Sequence, residues 1–137
     1  MNTPYDPDYV PPFPVLPIRL YAALSDQFSE PLLALVDTGS DGSLVPRSIL
    51  LAMKAKPASP AWFRWGNEKR RLVPTYLVDV YIGDRSYPSI QVVGDQAAHD
   101  VILGRDVFNQ MPLFLDGIQQ VSSILDDAAA ARWRRQK

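Results

Sequence analysis

The sequence predicts a mainly β, single-domain protein built from short strands joined by hairpins. Its 137 residues are enough to bury one hydrophobic core and too few for two. It contains 13 prolines against 7 glycines, and many of the prolines fall where a strand should begin or end. This placement suits short strands and loops better than a helical bundle. A content of 47% hydrophobic and 21% charged residues is typical of a globular protein.

Charge and composition exclude several classes of function. The formal net charge of -1 gives no global attraction to nucleic acid or to an anionic membrane, so neither is expected as a partner. The chain has no cysteine, which excludes disulfides, thiolate metal sites and cysteine nucleophiles. Its first 17 residues are polar and proline-rich rather than basic and then apolar, so they do not resemble a signal peptide, and no apolar run is long enough to span a bilayer. A cytoplasmic protein is the expectation.

The N-terminal third is expected to lead to one acidic turn. Five prolines within residues 1–14 predict a semi-rigid, extended arm. Residues 15–24 alternate as a strand does, turn residues follow, and residues 32–36 form the second strand of a hairpin that ends at Asp37. Pro46 then opens a short helix over residues 47–56, before Pro57 and Pro60 stop it.

The remainder of the chain predicts two further hairpins and a closing region. Residues 61–73, called the flap here, contain three aromatic residues, a Gly66-Asn67 turn and a basic strand. The second hairpin joins strands 75–82 and 87–93. The segments that complete the domain are an apolar run at 101–103, one or two helical turns at 107–111, and strands at 113–118 and 121–125.

Three regions follow from this pattern. They are the proline-rich arm (residues 1–14), a folded domain (residues 15–125) and a charged helical tail (residues 126–137). The tail begins with two acids and ends with arginines, so its charges match the helix dipole.

Once a catalytic triad, a metal site and a phosphate-binding loop are excluded, carboxylates remain as the candidate catalytic groups. Any Ser-His-Asp triad would have to use the single histidine, His99, but no Gly-x-Ser-x-Gly elbow presents a serine. His99 is therefore expected to be a loop residue. The acids are scattered over separate strand ends without a known metal-ligand spacing. Residues 39–42 lack the lysine and glycine spacing of a phosphate-binding loop. No metal and no cofactor is therefore expected.

Two motifs give the carboxylate chemistry a specific form. Residues 36–41 (Val-Asp-Thr-Gly-Ser-Asp) resemble the active-site motif of aspartic proteases, and residues 101–106 (Val-Ile-Leu-Gly-Arg-Asp) resemble the second motif of the retroviral type. Their separation fits two hairpins and a flap. The similarity to retropepsin-like proteases covers about residues 15–118, and it implies the closed β-barrel of the acid-protease fold.

The resemblance implies a catalytic role for Asp37, Thr38 and Gly39. In that family two aspartates share one proton around a water, so that one serves as base and the other as acid. Because this short chain carries one such motif, it would act as a two-fold homodimer with the site on the axis. Thr38 would bond across the axis to the backbone of the partner subunit, and Gly39 would let a substrate peptide approach the backbone.

Other residues are expected to support or line the site. Ser40 would donate a hydrogen bond to the catalytic carboxylate, and Asp41 would form a buried, bidentate pair with Arg105 that braces the loop beside Gly104. The residues expected to contact a peptide or protein substrate are Trp65, Gly66 and Asn67 of the flap, with Ala98 and Ile102 on the cleft walls.

The expected function is that of a metal-free aspartic endopeptidase, with two alternatives left open. The first is a dimer of the same fold that cleaves little or nothing and binds peptides. The second, from the basic residues of the flap, is a nucleic-acid-binding domain. The flap has one glycine where retroviral flaps are glycine-rich, and the termini differ from the interleaved strands of retroviral dimers.

Overall fold

The computed structural model describes residues 2–136, and strands dominate it. The strands, in chain order, are β1 (Asn2–Pro4), β2 (Val15–Ala22), β3 (Leu32–Val36), β4 (Leu44–Pro46), β5 (Lys56–Phe63), β6 (Arg71–Ile82), β7 (Arg85–Asp95), β8 (Val101–Leu103), β9 (Leu113–Asp116) and β10 (Val121–Ile124). The helices are α1 (Arg47–Ala52), α2 (Arg105–Phe108) and α3 (Asp127–Arg135).

Six strands close into a barrel. The order β2-β3-β8-β4-β7-β6 is completed by an antiparallel pairing of β2 with β6, in which Leu20 lies opposite Val80. Strand β5 lies outside the ring and pairs with β6 alone. Closure removes the exposed sheet edges that would otherwise invite association through backbone hydrogen bonds. The predicted mainly β, single-domain closed barrel is confirmed.

The barrel interior is filled by the inward-facing side chains, which alternate along each strand. Leu16, Leu20, Val78, Val80 and Val92 are fully buried. Strand β2 shows the pattern clearly, because every second side chain from position 16 to position 22 is buried and the residues between them are half-buried. Burying each such aliphatic side chain stabilises the folded state by about 1.5–3 kcal/mol. This core supports the ends of the strands that carry the candidate site.

Strand β6 runs through a proline where the sequence predicted a break. Pro74 was expected to separate the flap from the next hairpin, but one strand of 12 residues serves both. The pairing of β6 with β7 begins at Thr75, and the pairing with β5 is irregular between Ala58 and Ala61. Pro74 therefore lies where a strand can lack a backbone donor without losing a ladder bond.

The first two helices differ from their predicted bounds. Helix α1 ends at Ala52 rather than at residue 56, because Lys54 adopts a positive φ of 54° and the Ala55 N–H turns back to the Leu50 carbonyl at 2.9 Å. Helix α2 begins two residues earlier than expected, since the Gly104 carbonyl already accepts from Val107 and Phe108.

The tail forms the predicted helix. In α3 the Asp126 carboxylate accepts a hydrogen bond from the Ala129 N–H at 2.7 Å and caps the N-terminus. Three arginines occupy the last turn, where they face the negative end of the helix dipole.

The arm contributes to a second, three-stranded sheet with the order β1-β10-β9. Further along the arm, the Tyr9 hydroxyl donates to the Asp100 carboxylate at 2.6 Å, which raises the pKa of Tyr9 to about 12. The Pro14 carbonyl accepts from the Val36 N–H at 2.9 Å, one residue before the acidic turn. Within residues 2–136, no helix is long and apolar enough to cross a membrane.

Candidate active site

Asp37 lies on a tight turn at the end of two parallel strands. Val36 of β3 pairs with Leu103 of β8, and the Asp37 N–H continues the ladder to the Leu103 carbonyl at 3.0 Å. The Asp37 carbonyl accepts from the Ser40 N–H at 3.1 Å, and its Oδ1 accepts from the Gly39 N–H at 3.0 Å. Backbone groups thus fix both the main chain and one carboxylate oxygen, which is the preorganisation that a catalytic acid or base requires.

The outer face of this turn is open. Thr38 and Gly39 are both exposed, whereas Asp37 is half-buried. A Cβ on Gly39 would lie 3.1 Å from Asp37 Oδ1, so even alanine would crowd the carboxylate. The Thr38 carbonyl accepts from the Arg105 guanidinium at 2.8 Å, while the Thr38 hydroxyl has no partner among residues 2–136.

The carboxylate that braces the loop is Asp106, and the predicted Asp41–Arg105 pair is wrong. Asp106 Oδ1 accepts from the Ser43 hydroxyl at 2.7 Å, and Oδ2 accepts from the Ser43 N–H at 3.1 Å. Ser43 is fully buried, so its N–H needs such an acceptor. Asp41 is exposed and lacks any ion-pair partner in the described chain, because Arg105 turns to the Thr38 carbonyl instead.

Ser40 does not donate to the catalytic carboxylate as expected. Its hydroxyl donates to the Gly42 carbonyl at 2.6 Å, because the chain turns back on itself over these three residues. The Ser40 carbonyl in turn accepts from the Arg105 N–H at 2.9 Å. Ser40 therefore shapes the loop rather than the charge of Asp37.

Gly104 allows the two motifs to pack closely against each other. A Cβ at this position would lie 2.5 Å from the Gly42 carbonyl oxygen and 2.7 Å from that of Ser40, both backbone atoms that cannot move aside cheaply. The Gly104 N–H also donates to the Ser43 hydroxyl at 3.0 Å. The glycine of the second motif is thus required by close approach to the loop of the first.

A cavity of about 800 Å³ opens between the acidic turn and the flap. Of the residues predicted to bind substrate, Trp65, Gly66 and Ile102 line it. Asn67 lies at the exposed tip of the flap and Ala98 in the loop between β7 and β8, and neither reaches the cavity. The lining residues are Asp37, Gly39, Ser40, Asp41, Leu44, Trp62, Phe63, Arg64, Trp65, Gly66, Arg70, Ile102 and Arg105.

The flap is a hairpin, as predicted, and two of its aromatic rings also pack on the domain. Phe63 and Trp65 make an edge contact with ring centroids 4.5 Å apart and cover a small cluster formed by Leu44, Val73 and Val93. Trp62, 61% exposed, lies on the outer part of the same wall. Phe63 and Trp65 therefore pack on this small hydrophobic cluster and also line the cavity.

Several site residues were not singled out from the sequence. Ser43 and Asp106 form the internal brace, and Arg64 and Arg70 line the cavity. The position of Asp106 directly after Gly104-Arg105 was a usable signal, but nothing in the sequence identifies Ser43 as its partner. Within the described part of the chain, no three histidine or acidic side chains lie close enough together to hold a metal ion.

Comparison with solved structures agrees with this architecture. A retropepsin-like aspartic protease from Rickettsia conorii matches over 80% of this chain and 90% of its own, with a TM-score of 0.51 and 14% sequence identity. No protein-family model and no curated protein matches the chain. The similarity, together with the closed barrel and the two short motifs that meet at its end, shows that this chain has the retropepsin-like fold.

Proposed function

We propose that the protein is an aspartic endopeptidase that hydrolyses peptide bonds as a homodimer. The observation that carries the proposal is the position of Asp37, which is held by backbone hydrogen bonds at the edge of an open cavity that the flap borders. A cavity of about 800 Å³ bordered by a hairpin is large enough for several residues of an extended peptide.

The chemistry follows from two carboxylates that share one proton. The ionised Asp37 takes a proton from water as the water oxygen bonds to the peptide carbonyl carbon, and the protonated carboxyl donates its proton to the carbonyl oxygen. The tetrahedral intermediate then collapses. Its C–N bond breaks as the amine nitrogen receives a proton, which releases two peptides.

The second carboxylate would come from another copy of the chain. Each chain has one Asp-Thr-Gly turn, and its exposed Thr38 and Gly39 leave that turn free to meet a symmetric partner. Strand β9 is an edge of the three-stranded sheet, and Phe114 and Leu115 on it are about 40% exposed. Such an edge with apolar side chains is suited to coverage by a second copy.

The decisive experiment mixes active and inactive subunits. Asp37→Asn should abolish cleavage of an unfolded protein such as reduced casein at mildly acidic pH, while circular dichroism stays unchanged. Mixed in equal amounts with the wild type and allowed to exchange, the variant should leave about a quarter of the activity that wild type alone has at the same total protein concentration, because only dimers with two aspartates act.

The alternatives give other results. Half of the activity would remain if each subunit worked alone, and this would overturn the shared site. Cleavage that survives Asp37→Asn would show a different catalytic group or a contaminating protease. Binding of peptides without cleavage under any condition would favour a peptide-binding module.

A further inference from the structure

The flap carries a concentration of positive charge that the catalytic proposal does not use. Residues 64–71 contain four of the chain's 14 basic residues and a single acid, Glu68, although the whole chain has a net charge of -1. Two of these basic side chains, Arg64 and Arg70, line the cavity, and both are exposed.

Among residues 2–136, no acid forms an ion pair with these arginines. In this described part of the chain, the ion pair within 4.0 Å is that of Arg85 with Asp127, at the opposite end of β6 from the flap turn. The acids that share the cavity are Asp37 and Asp41, and neither contacts a flap arginine. A fold that places unpaired guanidinium groups beside a cavity leaves them available to an anionic ligand.

Aromatic rings hold two of the flap arginines in place. The Arg71 guanidinium lies 4.4 Å from the centroid of the Trp65 ring, and that of Arg70 lies 5.7 Å from the Trp62 ring. A stacked guanidinium keeps its N–H groups free at its edge, where they match the two oxygens of a carboxylate. Preorganisation by the rings lowers the entropy that binding must overcome.

The floor beneath the arginines is apolar. Phe63, Trp65 and Ile102 pack over Leu44 at the base of the cavity, directly beside the acidic turn. A peptide that fills the cavity would therefore place an apolar side chain on this floor and an acidic side chain against the arginine-bearing wall. A nucleic acid would satisfy the arginines, but its charged backbone would have to pass close to the Asp37 carboxylate.

From this arrangement we infer that the flap selects acidic peptides, in which Asp or Glu lies within a few residues of a large apolar side chain at the cleaved bond. The inference rests on the proposed function for its cleavage readout, but not for its binding readout. Arg64 and Arg70 are the residues that determine this specificity, and Arg71 lies against Trp65 beside them.

Binding is tested without catalysis. In the Asp37→Asn protein, fluorescence anisotropy compares a labelled peptide with a central Leu-Phe pair flanked by glutamates, the same peptide with glutamines, and a single-stranded oligonucleotide. The glutamate peptide should bind about five-fold more tightly than the glutamine peptide, and the difference should shrink as salt screens the charges. Arg64→Gln with Arg70→Gln should remove the difference.

A matched control keeps the total charge equal. Arg132→Gln with Arg135→Gln removes two charges from the exposed face of α3 and should leave the glutamate preference intact. Equal binding of the two peptides, or equal effects of the flap and tail substitutions, would overturn the inference. Tighter binding of the oligonucleotide, lost only on flap substitution, would also overturn it in favour of nucleic acid.

Cleavage gives the second readout. The wild type, offered tryptic peptides from a bacterial lysate, should cut at sites enriched several-fold in Asp or Glu within three positions of the scissile bond, and the flap variant should lose this enrichment. Cleavage without enrichment of acidic residues would refute the proposed specificity, while the proposed protease function would stand. Selective binding of the glutamate peptide without any cleavage would refute the proposed protease function, while the proposed preference for acidic peptides would stand.

Discussion

Replacing Asp106 by asparagine tests which carboxylate braces the acidic turn. Asp106 accepts from the Ser43 hydroxyl at 2.7 Å and from the Ser43 N–H at 3.1 Å. Asparagine has one acceptor oxygen and one donor group in place of two acceptors, so it can keep only one of these bonds. The other Ser43 donor would face an amide N–H and lose its acceptor in a buried position.

The magnitude follows from that single lost bond. A hydrogen bond to a charged group contributes about 1.5–3 kcal/mol, and leaving a buried donor unpaired costs about 1–3 kcal/mol. Since Asp106 is half-buried rather than buried, we expect Asp106→Asn to lower the free energy of unfolding by about 2 kcal/mol. Ser43→Ala removes the hydroxyl that donates to Asp106 but keeps the backbone N–H bond. The two substitutions therefore have one lost bond in common and should not be additive.

Urea unfolding followed by tryptophan fluorescence, at one fixed protein concentration, measures these free energies. Asp41→Asn is the matched control, because this exposed carboxylate has no ion-pair partner among the described residues and its loss should change stability by less than about 0.5 kcal/mol. The reasoning fails if Asp41→Asn destabilises as much as Asp106→Asn, or if Ser43→Ala and Asp106→Asn are strictly additive.

Three further substitutions probe the loop, the arm and the dimer. Gly104→Ala should destabilise by about 1–3 kcal/mol in urea, because its Cβ would strike backbone oxygens, whereas Gly117→Ala, with nothing within 4 Å, should be nearly neutral. Tyr9→Phe should cost about 1 kcal/mol near neutral pH. This cost should fade in alkaline unfolding experiments as the pH rises from 10 through about 12, because the neutral phenol is the form that donates to Asp100 and folding raises its pKa. Thr38→Val should leave monomer folding intact but raise the dimer dissociation constant, measured by sedimentation, by about ten-fold, since each symmetric interface would lose two hydroxyl bonds; an unchanged constant would exclude Thr38 from the interface.

The parts of the fold that the sequence predicted correctly depend on local signals. Alternating apolar residues marked the strand at residues 15–24, an apolar run marked the strand that ends before Asp37, and Gly83-Asp84 marked the turn of the second hairpin. The N-cap at Asp126 and the arginines after it were enough to place α3. Each of these signals lies within about ten residues of the element that it specifies.

Two of the errors concern contacts between distant segments. Asp41 and Asp106 are each the last residue of one motif, and the sequence does not reveal which one meets a buried donor. That choice depends on the return path of the loop, which places the Ser43 N–H against α2, 63 residues further along the chain. The uninterrupted course of β6 through Pro74 likewise depends on where its two neighbours begin to pair.

The inner and outer sides of the Asp37 turn differ, and this difference affects how the proposed dimer would form. The inner side of the turn is completed within one chain, by Leu103, Ser43 and Gly104, so folding of a single copy already fixes the carboxylate. The outer side, formed by Thr38 and Gly39, is exposed, and its backbone is already held by hydrogen bonds to Arg105 and Asp37. Association would then join two preformed turns rather than fold them, and its free energy would not be reduced by an ordering cost. The dependence of activity on protein concentration would consequently report subunit affinity alone, and substitutions in the inner brace would change stability without a matching change in that affinity.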